Sequence, residues 1–174
     1  MEYLITYGVA IFVILIVLAI LVPYLLDTLK TPSSCLAETG FNCNEPKPTV
    51  SAAAGTNSIF LSVRFSNQQR TNVQIVKVMC TNAPIAQVNP DMGGVLSDVG
   101  VPAGVSDTIV AGSFIDMPRV PCEKVEGGVD KPIQLAKGSD FKGTLVVWYH
   151  VVPEIEGAPL RYTTASVSGP VIEQ

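Results

Sequence analysis

Four cysteines, at positions 35, 43, 80 and 122, are the residues of this chain best suited to chemistry. Their number is even, no Cys-x-x-Cys step occurs, and His150 is the only imidazole, so structural disulfides are favoured over a zinc site or a dithiol redox pair. Four cysteines allow three connectivities, all open at this level. The preferred one joins Cys35 to Cys43 across a short loop containing Gly40 and ties Cys80, in a strand, to Cys122, in a long loop. On the chain-entropy view each bridge contributes roughly 2 to 4 kcal/mol, the wider loop gaining more. His150 lies in an apolar run; its nearest acids, Glu154 and Glu156, fall in a turn, and no Ser or Cys motif points to it. A half-buried strand histidine is expected, not a catalyst. The acids of the Gly-rich stretch from Ala83 to Gly104, Asp91 and Asp98, lack the regular spacing of a calcium loop and suit a surface turn. No nucleophile elbow, phosphate loop, HExxH or dinucleotide fingerprint is found. The expectation is a non-enzyme without catalytic residues, cofactor or metal.

The elements around these residues follow from composition. The 174 residues are 48% hydrophobic with a mean hydropathy of +0.39, and only 15% are charged, against roughly 25% in an average soluble protein. A net charge of -4 supplies no basic field for phosphate backbones, so nucleic acid is not an expected partner. The apolar excess is concentrated: from Tyr3 to Leu26 no residue is charged, and only Thr6, Gly8 and Pro23 fall outside the hydrophobic set. A helix over this run is of spanning length and has no polar face to offer water. Leaving it in water forfeits roughly 1.5 to 3 kcal/mol for each large aliphatic side chain, so lipid or other copies of the chain must cover it. A secretory signal peptide fits poorly, since no basic region precedes the run and no small-x-small cleavage site follows it. Pro23 removes a backbone hydrogen bond and either kinks the helix about a turn upstream or marks its end. Glu2, at the mouth of the run, is either a solvated carboxylate favoured by the helix dipole or a buried one that needs a positive partner.

Residues 31 to 50 have the composition of a connector, with Pro32, Pro46 and Pro48 giving an extended lead. Beyond residue 51 the pattern is β. Ile59, Leu61, Val63 and Phe65 alternate with Phe60, Ser62, Arg64 and Ser66, which predicts a strand with one buried face. Val73 to Cys80 is rich in β-branched residues, but Gln74 and Lys77 fall on opposite parities, so either a bulge lies near Ile75 or both faces are covered. Thr108 to Ile115, Gly143 to Val152 and Leu160 to Val167 are further strands, the last two paired across a turn from Pro153 to Pro159. The expected fold is α+β: a helix over residues 1 to 30, a connector over 31 to 50, and an antiparallel β-sandwich of Ig-like type over 51 to 174. No Asn-x-Ser/Thr sequon is present, so N-linked sugar is not expected.

The run Met1, Glu2, Tyr3, Leu4, Ile5, Thr6, Tyr7, Gly8, followed by Ala10 and Ile11, resembles the N-terminal helix of archaeal type IV pilins with the class III signal peptide. Val9 stands where that family commonly has Trp, and the family's peptidase site falls upstream of the position matching Met1. The likeness is strongest over residues 1 to 26. It implies a structural subunit whose apolar helix is membrane-inserted before assembly and then bundles with copies of itself in the core of an extracellular filament, serving adhesion or cell contact. Its further partners would be the pilus assembly machinery and a prepilin peptidase. The counterpart of Glu2 is thought to neutralise an N-terminal amine of the adjoining subunit. Contacts between copies are then expected at Glu2, Tyr3, Tyr7, Gly8, Phe12, Leu15, Ile16, Ala19 and Pro23. Lys30 pulls weakly toward a cytoplasmic C-terminal side; the family's cleaved basic leader opposes it, and the cysteines favour an oxidising location. The alternative is a single-pass membrane anchor carrying an extracellular β-domain used as a binding module.

Overall fold

A computed structural model of the chain describes residues 2–28, 32–51, 58–89, 91–126, 129–153 and 159–173, with helix side chains described over 7–25. It contains two compact units, Met1–Thr31 and Pro32–Gln174. Lys30 and the acids Glu154 and Glu156 lie outside the described residues.

The first unit is a single helix, α1 (Glu2–Thr28). A segment with so few polar side chains can pair its backbone N–H and C=O groups only within itself, and the helix is the local structure that does so. It continues through Pro23 to Thr28, so Pro23 lies inside the helix and does not end it.

The second unit is β throughout: β1 (Ser34–Ala37), β2 (Phe41–Ser51), β3 (Ser58–Asn67), β4 (Asn72–Thr81), β5 (Thr108–Ile109), β6 (Phe114–Glu126), β7 (Val129–Pro132), β8 (Asp140–Val152), β9 (Arg161–Pro170) and β10 (Ile172–Glu173), with a 3-10 turn at Ile85–Gln87. The hydrogen-bonded order is β1-β9-β8-β4-β6-β3-β2-β10, with β5 added to β4 and β7 to β6. Most pairs are antiparallel, but β4 runs parallel to β6 and β10 parallel to β2. The α+β class and the mostly antiparallel β domain after an N-terminal helix are as expected; the sheet is mixed and curled and does not form a clear sandwich. One mixed sheet curls around its core because β6 serves both halves. Its first part lies antiparallel to β3, and Cys122 and Glu123 then lie parallel to Cys80 and Thr81 of β4. A register shift opposite Leu61 and Val63 provides the bend.

The alternation in β3 holds: Ile59, Leu61, Val63 and Phe65 are buried. Phe65 stacks on Phe41 of β2 at 5.1 Å, and Phe41 meets Tyr149 of β8 edge-on at 5.1 Å, so one core joins the two halves of the sheet. In β4 both alternatives occur together. The register with β8 shifts between Ile75 and Lys77. Beyond the shift Met79 joins Val146 and Trp148 in a second cluster, packed by Ile85, Val88, Met92 and Leu160.

Three boundaries differ from expectation. The connector is part of the β unit, since β1 and β2 occupy most of residues 34–51. Pro46 is tolerated there because the β2–β3 register shifts between Asn44 and Lys47, beside Glu45 at a φ of 51°. The stretch Thr108 to Ile115 divides into β5 and the start of β6, separated by a turn at Gly112, whose φ is 76°. Cys122 lies in a strand and not in a long loop.

Candidate functional site

The candidate site is the surface of α1. Between Tyr7 and Leu25 it is a 19-residue segment of mean hydropathy 3.0, and none of it is buried within the chain. Tyr7 is 71% exposed and even Ile16 is 44% exposed. Phe12, Leu15, Ala19 and Pro23 are also exposed, and nothing lies within 4 Å of a Cβ placed on Gly8. Glu2 and Tyr3 belong to α1, but their side chains lie outside the described residues. At about 100° per residue, Gly8, Phe12, Leu15, Ile16, Ala19 and Pro23 share one face roughly 100° wide. Tyr7 lies outside that face, and Ala19 is turned about 120° from it. The expected contact residues therefore divide between two sides of the rod. Tyr24, 69% exposed, is an aromatic of the same surface that the sequence reading passed over, although its type and place beside Pro23 were visible.

Both preferred disulfides are present. Cys35 and Cys43 are joined with Cα atoms 5.5 Å apart, linking β1 to β2. Cys80 and Cys122 are joined at 4.2 Å, directly opposite each other in the β4–β6 pairing. The bridges brace the β unit, and they fit an oxidising, extracellular setting. A near-N-terminal helix with the length and apolarity of α1 is of the kind that acts as a signal or membrane anchor.

Several polar groups of the β unit are engaged in structural contacts. Arg64 donates to both carboxylate oxygens of Asp116, at 2.7 and 3.0 Å, and its guanidinium lies 4.5 Å over the Phe114 ring. That pairing raises the Arg64 pKa and lowers that of Asp116. Arg119 stacks on Phe60 at 4.3 Å, a second cation–π contact not anticipated from sequence. Partial burial, then the neighbouring charge of Asp130, pushes the Glu123 carboxyl above the usual range. Lys124 and Lys131 hold Glu126 below it. His150 is half-buried in β8 opposite Gln74. The Asp98 carboxylate accepts the Val95 backbone N–H at 3.2 Å, as a turn residue does. Among the described residues no group of three His, Cys, Asp or Glu is placed to hold a metal ion.

The architecture defines an α+β protein with an uncovered apolar helix and a disulfide-braced mixed β unit. No protein-family model matches the chain, and no curated protein does.

Proposed function

We propose that the chain is a structural subunit of an extracellular archaeal type IV-like filament, acting by assembly and not by turnover. The observation that carries this reading is the 19-residue apolar segment of α1, exposed on every side in the isolated chain. Such a rod demands cover, and copies of itself supply it while the β unit faces solvent. The pilin-like residues Glu2, Tyr3, Thr6, Tyr7 and Gly8 support the same reading. Before assembly the rod rests in the membrane; transfer into a helix bundle keeps it out of water throughout. Pairing of Glu2 with the terminal amine of a neighbour then sets the register, since a carboxylate in a dry site needs a cation. A prepilin peptidase and a membrane assembly machine are the implied partners, and surface adhesion or cell contact the implied use.

Electron microscopy of cell-surface material tests the proposal. Helical fibres built from this chain are expected. A chain dispersed singly in the membrane would overturn the filament reading in favour of an anchored binding module.

A further inference from the structure

Two polar groups on the apolar rod lack partners within it. The first is a backbone acceptor. Pro23 has no N–H, so the Ala19 carbonyl, one turn earlier in a helix that continues past the proline, loses its normal donor and is tilted outward by the pyrrolidine ring. The second is a donor: the Tyr7 hydroxyl, on a side chain 71% exposed. Once water is excluded each group carries a desolvation cost that only a hydrogen bond removes.

The two cannot meet in one chain. Tyr7 and Ala19 are twelve residues apart, about 18 Å along a helix, and face directions about 120° apart. Two copies running the same way and offset by that length bring them together. The contact then uses different faces of the two helices, as the heterologous interfaces of open-ended polymers require. Few other donors exist: between Tyr3 and Leu26 only Tyr3, Thr6, Tyr7 and Tyr24 carry a side-chain hydroxyl. A helical Thr spends its hydroxyl on its own preceding turn, and Tyr24, five residues beyond Ala19, would meet that carbonyl only at a different offset, about 7.5 Å.

We infer that the Tyr7 hydroxyl of one copy donates to the Ala19 carbonyl of a neighbouring copy, so that Pro23 serves to free an acceptor and fix the axial offset to that neighbour, a different one from the copy whose terminal amine pairs with Glu2. This inference rests on the filament reading. A double-mutant cycle on the full-length protein in assembling cells tests it, with the rate of fibre dissociation in denaturant as readout. Tyr7→Phe, which removes only the hydroxyl, is expected to speed dissociation about tenfold, the scale set by leaving a buried acceptor unpaired. In a Pro23→Ala background, where the residue 23 N–H again meets the Ala19 carbonyl, the same substitution should change the rate less than about twofold. An equal effect in both backgrounds, or none in either, overturns this contact and leaves the filament reading standing. Absence of wild-type fibres overturns the filament reading and the contact with it. If Pro23→Ala fails to assemble, density for the wild-type fibre decides: Tyr7 Oη within about 3.2 Å of a neighbour's Ala19 oxygen supports the contact, and any other partner for Oη overturns it.

Discussion

Glu123 carries its charge at a disadvantage, because partial burial and Asp130 both favour the protonated carboxyl. A carboxyl whose folded pKa lies above its unfolded value binds more protons in the folded state, so stability falls as pH rises through the window just above the ordinary Glu value. Glu123→Gln should therefore stabilise the β unit at neutral pH by a few tenths of a kcal/mol, a modest gain because the group is half solvated. Denaturant midpoints at pH 7 and pH 4.5 check this, with the gain expected to shrink at the lower value. Asp116 has the opposite sign. Its pKa is lowered by the Arg64 hydrogen bonds, so its contribution is present at neutral pH and lost as pH falls through the depressed value. Gly143 is a steric case at the same scale. A Cβ there would stand 2.6 Å from Phe141 Cζ and 2.9 Å from the Thr81 carbonyl oxygen. Since the backbone oxygen cannot step aside, Gly143→Ala should cost about 1 to 3 kcal/mol in thermal or chemical unfolding.

Among the elements, the two disulfides should contribute unequally. The Cys80–Cys122 bridge closes 42 residues and Cys35–Cys43 closes 8, which predicts losses of about 4 and about 2.5 kcal/mol when each pair is replaced by serine. Calorimetry of the two double variants gives the order directly. Their pairing could be preferred but not settled from spacing, since four cysteines leave three connectivities open until the strands are paired, whereas β3 was legible from strict alternation, a local signal. The stretch from Val120 to Glu126 was not legible as strand. Pro118 and Pro121 read as breakers when no partner is known, yet β6 accommodates them beside its register shift. Similarly, β1 and β2 looked like a linker because Pro46 and Pro48 dominate their composition. Strand identity there is settled by pairing with β9 and β3, far along the chain, which no window of neighbours contains. Curling in place of a layered sandwich was hidden for the same reason, since it depends on one strand sharing two partners.

For the whole molecule, the apolar character of α1 and the fold of the β unit should be separable. Ile16→Asp places a charge on the rod without touching the core described above, so under the proposed filament reading fibres should be lost while the β unit keeps its disulfides and unfolding transition. Fibres of normal yield from that variant would remove α1 from the assembly surface. The rod itself was plain in the sequence, because a continuous apolar run needs no tertiary context to be seen. Its division into two faces, with Tyr7 set apart from Ala19, follows once the run is known to be one helix from Tyr7 to Ala19.

The sulfur link between Cys35 and Cys43 encloses the turn at Thr39 and Gly40. A protease that nicks the main chain inside this ring leaves the N-terminal rod covalently attached to the remainder. On an electrophoretic gel the nicked protein should migrate as one piece until a thiol reagent is added, and only then part into two. The bridge is thus a fail-safe at a seam where a single cut would otherwise sever the chain between the helix and most of the β unit.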